Sequence, residues 1–176
     1  MTNTKSALIS IAVLLLLTGI SGCENPEFPI GQGVEFYFIE KYALTDSTTA
    51  IDESSIVCSN KPFITYSDIR WYDPTTYTFK LSRGTMKNWD NLDYYEKELS
   101  GKNFVVKVNG ESIYTGHFQS MVSSFIGDGV ILSWGGNAFK NDELVMSVLM
   151  PFHDFDDKRN DERILAVLRN DGKLKE

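Results

Sequence analysis

His153, Asp154, Asp156, Asp157, Asn160, Asp161 and Glu162 crowd into one stretch near the carboxyl end, a set that could gather oxygens around a divalent cation such as Ca2+. Laid on an EF-hand loop that begins at Asp154, the alternate places hold Asp154, Asp156, Lys158, Asn160 and Glu162, so Asp154, Asp156 and Asn160 are the candidate metal ligands. The rest of the pattern fails. Arg159 stands where the turn needs glycine, Lys158 brings a cation where an oxygen belongs, and Leu165 takes the place of the bidentate acid. The same acids suit the first turn of a helix, whose dipole favours negative charge, and this reading is preferred. No metal or other cofactor is expected.

Nucleophilic chemistry has few carriers here. A Ser-His-Asp hydrolase needs a histidine to take the nucleophile's proton, and the chain has only His117 and His153. Neither sits in a motif, and no G-x-S-x-G elbow exists to pair with them. His117 lies between Gly116 and Phe118 in a strand-like run, where an edge or surface histidine is the ordinary explanation. Cys58 follows Ile56 and Val57 and reads as a buried apolar cysteine, ahead of a nucleophilic or redox thiol. A glycosidase needs two facing carboxylates, and spacing singles out no pair among the 24 acids. Trp71, Tyr72, Tyr94, Tyr95 and Trp134 could stack on sugar rings, yet at 12% aromatic content most of them are needed in the core. Gly31-Gln32-Gly33 precedes a strand instead of following one, the wrong order for a dinucleotide turn.

The amino-terminal stretch carries a stronger signal. Lys5 precedes an uncharged apolar run, Ala7 to Leu17, that is too short for a comfortable membrane span and matches the core of a secretory signal. The run leads to Ile20-Ser21-Gly22-Cys23, which resembles the lipobox of bacterial lipoproteins in all four places. That resemblance implies cleavage before Cys23, acylation of Cys23, and a protein held by lipid on the extracytoplasmic side of a bacterial membrane. One acyl chain binds marginally and two or more bind stably, so a lipobox cysteine makes a lasting attachment. The choice between inner and outer membrane stays open.

Loss of residues 1–22 would leave 154 residues, a length for one domain, with 16 basic against 24 acidic side chains. Phosphates repel so acidic a chain, which argues against nucleic acid as a partner. With Cys23 acylated, Cys58 has no intramolecular partner for a disulfide. Residues 23–33, with Pro26, Pro29, Gly31 and Gly33 and no apolar period, read as the lipidated cysteine and a flexible tether. Residues 34–176 read as one globular domain.

Within that domain, Val34 to Tyr42 reads as a central strand, with Val34, Phe36 and Phe38 on one face and Tyr37 and Ile39 on the other, relieved by Glu35 and Lys41. Leu44 to Ser54 reads as an exposed loop and Ile56 to Cys58 as a short strand. A short turn capped by Ser67 or Asp68 is expected to run through Trp71, followed by turn chemistry at Asp73 to Thr76 and a strand from Tyr77 to Leu81. Apolar spacings of three and four predict a helix over Leu92 to Leu99. Asn109-Gly110 between two alternating runs predicts a type I′ hairpin, with Val108 opposite Glu111, Val106 opposite Ile113 and Val105 facing Tyr114. Val130 to Trp134 and Leu144 to Met150 read as strands, and Asn160 to Asn170 as a terminal helix stopped by Asp171-Gly172. The sum is an α+β domain, with a mostly antiparallel sheet of about six or seven strands and one or two helices on one face.

The passage from Gly101 to Phe118, followed by a glycine-broken stretch and a final helix near Ile164 to Leu174, is similar to the end of the periplasmic head of the SecD translocation subunit. That similarity implies a split βαβ type of domain and carries no catalytic residue. The whole chain is also similar to small bacterial lipoproteins, a likeness that supplies no activity. The expected function is a non-enzymatic binding or protein-interaction module of the cell envelope, with the membrane and an envelope protein or ligand as partners. An envelope hydrolase acting on glycans or peptides is the alternative.

Overall fold

The apolar and aromatic run from Val34 forms β1 (Val34–Lys41), buried at Val34 to Tyr37 and at Ile39, which lies second from one end of the sheet and not at its centre as the sequence suggests. The computed structural model describes residues 28–45, 51–85, 99, 101–120, 129–134, 140–148 and 156–176. Seven further strands follow: β2 (Val57–Cys58), β3 (Ile69–Asp73), β4 (Thr78–Leu81), β5 (Asn103–Val108), β6 (Glu111–Ser120), β7 (Val130–Trp134) and β8 (Glu143–Val148). One sheet holds all eight in the order β2-β1-β5-β6-β7-β8-β4-β3, antiparallel throughout except for β6 and β7. The helix α1 (Glu162–Asn170) completes an α+β architecture.

Among the described residues the strands number eight, not six or seven, because Ile69 to Asp73 pairs with β4 where a turn was expected. A register shift between Ile69 and Trp71 breaks the alternation that would have marked a strand. The expected turn is shorter, a 3-10 turn at Tyr66–Asp68 entered from Thr65. Asp68 closes it by accepting hydrogen bonds from the Thr65 N–H at 2.8 Å and the Thr65 hydroxyl at 2.7 Å. The helix expected over Leu92–Leu99 lies outside the described residues except for Leu99, which is helical and buried.

The hairpin turn at Asn109-Gly110 has φ values of 50° and 84°, as type I′ requires, and sets Val108 opposite Glu111. The expected register holds through the second pair, Lys107 opposite Ser112, and then slips by one. A shift between Val106 and Lys107 places Val106 opposite Tyr114 and Val105 opposite Thr115. The bulge leaves Ile113 extra, so that Ile113 and Tyr114 both enter the core, which strict alternation would forbid.

The sheet curls around this core. Phe36 of β1 and Phe79 of β4 stand five places apart in the sheet order, roughly 24 Å in a flat sheet at ~4.8 Å per strand. Their ring centroids are 5.3 Å apart, edge to face. Phe104 and Phe118 extend the cluster, 5.5 Å from each other, and Phe63 stacks on Phe38 at 4.3 Å. Each fully buried ring contributes roughly 1.5–3 kcal/mol by leaving water. From α1, Ile164 and Leu168 join the same cluster as the helix crosses β1 and β5. On the opposite face, Tyr37, Ile39 and Val105 form a smaller cluster against Ile51, Ile56 and Cys58.

Close packing leaves no room at Gly116, where an added Cβ would lie 2.3 Å from the Phe104 ring and 2.6 Å from the Val130 carbonyl oxygen. At Gly84, a Cβ would meet nothing within 4 Å. Gly116→Ala is therefore expected to destabilise by about 1–3 kcal/mol, while Gly84→Ala is neutral or stabilises by about 0.5–1 kcal/mol. Chemical denaturation of the two variants checks this, and equal midpoints would contradict the packing described.

Candidate functional site

The acidic stretch before α1 is occupied by its own chain. The Asp157 carboxylate accepts from Arg159 Nε at 2.8 Å and Nη2 at 2.6 Å. Arg159 is buried, donates from Nη1 to the Met146 carbonyl at 2.7 Å, and lies 3.5 Å over the Tyr77 ring. Asn160 Oδ1 accepts the Tyr72 hydroxyl at 2.8 Å, and its Nδ2 donates to the Pro74 carbonyl at 3.0 Å. Asp161 caps α1 by accepting the Arg163 N–H at 2.9 Å. Of the metal candidates, Asn160 is thus spent on fastening the helix entrance to the β3–β4 turn. Asp156 is exposed beside Lys158 at 3.6 Å, and Asp154 lies outside the described residues. Among the described residues, no three His, Cys, Asp or Glu side chains gather as a metal site would need.

These contacts also set the charges. Hydrogen bonds from Arg159 hold the Asp157 carboxyl below its ordinary range. Those from Arg163 lower Asp161 to about 2, and those from Thr75 and Lys175 lower Asp73 to about 2. Burial pushes the pKa of the Tyr114 hydroxyl far up, and among the described residues that hydroxyl has no hydrogen-bond partner.

Of the other chemistry-bearing residues, His117 is half-buried on β6, level with Asn103 on β5 and Ile131 on β7. His153 lies outside the described residues. Cys58 is half-buried, less than the sequence suggests, because β2 is a two-residue strand at the end of the sheet. Of the aromatic platform, Tyr72 is buried inside the core and Tyr94 and Tyr95 lie outside the described residues. Glu35, expected to relieve its strand face, is instead buried, and its Oε2 accepts the Tyr37 hydroxyl at 2.8 Å and the Gly31 N–H at 2.9 Å. The turn before β1 and the Tyr37 hydroxyl together satisfy the buried carboxylate.

That turn belongs to the domain. Of the expected tether, residues 23–27 lie outside the described residues, while Phe28 to Gly33 is fastened at several points. The Phe28 N–H donates to Ser67 Oγ at 3.0 Å, and its ring meets Tyr66 edge to face at 4.7 Å. Lys173 lies 3.8 Å over the Tyr66 ring and 4.8 Å over Phe28 while donating to the Tyr66 carbonyl, and burial lowers its pKa. The Gly33 N–H donates to Asn109 Oδ1 at 2.9 Å, and the Asn109 N–H returns a bond to the Gly33 carbonyl. Only glycine fits at residue 33, where φ is +75° and a Cβ would lie 2.1 Å from Tyr66.

Exposed apolar groups collect at the opposite end of β1. Tyr42, Leu44 and Val57 are 44%, 53% and 48% exposed, all within three residues of the Lys41–Val57 pair that joins β1 to the end strand β2. The β3 end is covered: the Tyr72 N–H donates to the Lys173 carbonyl at 2.7 Å, and the Lys175 N–H donates to the Tyr72 carbonyl at 2.8 Å. The β2 end is therefore the better candidate for contact with another chain. Comparison with known proteins returns no match to a family model, a curated protein or a solved structure.

The lowered carboxyls fix an acid response. A group whose folded pKa is depressed adds stability above its unfolded value, near 3.8 for Asp, and loses it as pH falls through the folded value near 2. Stability is expected to be level from pH 7 to about 5 and to fall between about pH 4 and 2, with a shallower fall in Asp161→Asn. Denaturant titrations at stepped pH check this, and an unchanged slope in Asp161→Asn would contradict it.

Proposed function

We propose that the protein is a membrane-anchored extracytoplasmic lipoprotein of the cell envelope that works as a non-enzymatic interaction module, with the β2 end of its sheet as the contact surface. The anchoring half of this reading is supported by the apolar run after Lys5 and by the sequence Ile20-Ser21-Gly22-Cys23. The observation that carries the interaction half is the exposure of Tyr42, Leu44 and Val57 beside an end strand. An end strand offers unpaired backbone groups to an incoming segment, and neighbouring apolar side chains supply burial and selectivity. The polar cluster at the entrance to α1 is committed to internal bonds at Arg159 and Asn160, and this favours binding over catalysis there.

A photo-reactive amino acid at Leu44 in the full-length protein, expressed in its own envelope, tests the proposal. One discrete cross-linked species is expected, lost on Val57→Lys and lost when Cys23→Ser frees the protein from lipid. A turnover rate on envelope glycans or peptides that survives Val57→Lys, with no cross-link at Leu44, would contradict it.

A further inference from the structure

Only Glu24, Asn25, Pro26 and Glu27 separate Cys23 from Phe28, the first described residue, which is fastened to the domain through Ser67. Five residue steps reach at most roughly 18 Å when fully extended. A domain of this length is roughly 35–40 Å across. From these two lengths we infer that the bilayer surface is the partner of one particular end of the domain: the end formed by the Pro29–Gln32 turn, with Ile30 at its exposed tip, and the adjoining Asn109-Gly110 hairpin turn. The inference rests on lipidation at Cys23, as proposed above, and adds an orientation to it.

Fully extended, the leash reaches only about half the width of the domain, so Phe28 stays on the side of the domain nearer the membrane. The turn that follows cannot swing independently. Its Gln32 N–H bonds back to the Pro29 carbonyl at 3.1 Å, Glu35 takes the Gly31 N–H, and Asn109 pairs with Gly33 on both sides. Ile30 is 60% exposed at this turn, the most exposed of the large apolar side chains described, and so is the group best placed to touch the headgroup region. Charge does not select this end, since the chain carries a formal net charge of −7 and an anionic surface would repel it. Geometry does. β1 starts beside this end and runs away from it for eight residues, ~23 Å at ~3.3 Å per residue, so Tyr42, Leu44 and Val57 are carried to the far side.

The test uses the lipidated full-length protein in phosphatidylcholine vesicles that carry a nitroxide on a fraction of the headgroups. In a Cys58→Ser background, a fluorophore is placed at Ile30→Cys in one sample and at Leu44→Cys in another. Quenching is expected to be several-fold stronger at residue 30, and a Gly-Ser insertion of about twenty residues after Asn25 is expected to remove the difference. Equal quenching at the two sites in protein that floats with the vesicles would overturn the orientation while leaving anchorage intact. A residue-30 label shielded from the quencher and cross-linking to a second copy would overturn it in favour of a contact between copies. Protein that fails to float would overturn the anchorage reading and the orientation together.

Discussion

Tyr66 joins three parts of the chain that the sequence keeps far apart. Its ring fills the space that Gly33 leaves open and takes the edge of Phe28, and its hydroxyl donates to Asp171 at 2.8 Å just past the end of α1. Lys173 lies on the same ring and bonds to the Tyr66 carbonyl. Burial and the hydrogen bond to Asp171 both raise the pKa of this hydroxyl, so it remains a neutral donor across the physiological range. The segment before β1, the 3-10 turn before β3 and the chain after α1 therefore meet at one buried side chain.

Two features of the fold depend on that meeting. The sheet can curl far enough for Phe36 to touch Phe79 because the segment from Phe63 to Asp68 runs directly from one end of the sheet to the other. Ile64 bridges to Phe36 within β1, and the 3-10 turn at Tyr66–Asp68 then delivers the chain into β3. Past α1, Lys173 to Lys175 runs along the outer side of β3 and satisfies backbone groups there. One end of the sheet is thus covered by the protein's own tail, and β2 is left as the short end strand beside exposed apolar side chains.

Local chemistry made much of the architecture readable. The Asn109-Gly110 turn, the apolar face of α1 at Ile164 and Leu168, its Asp161 cap and its stop at Gly172 all follow from residue type and spacing. What the sequence hid depends on contacts across the chain. The β6 bulge is chosen by the core, which accepts both Ile113 and Tyr114, and β3 owes its existence to pairing with β4. Glu35 reads as a surface acid until the Gly31 N–H is seen to reach it, and Phe28 to Gly33 reads as a spacer until Tyr66 is placed beside it. The acidic stretch near Asn160 read correctly as a helix entrance, although its partners, Tyr72 and Pro74, come from a distant hairpin.

The central physical claim is that the chain is part of the folded domain from Phe28 onward, since both the leash length and the direction of the β2 end follow from it. Amide hydrogen exchange of the full-length protein tests it directly. The amides of Phe28, Gly31 and Gly33, which donate to Ser67, Glu35 and Asn109, should be protected to a degree comparable with the ends of β1. Exchange of these three amides at the rate of an unstructured peptide, with β1 still protected, would contradict the account.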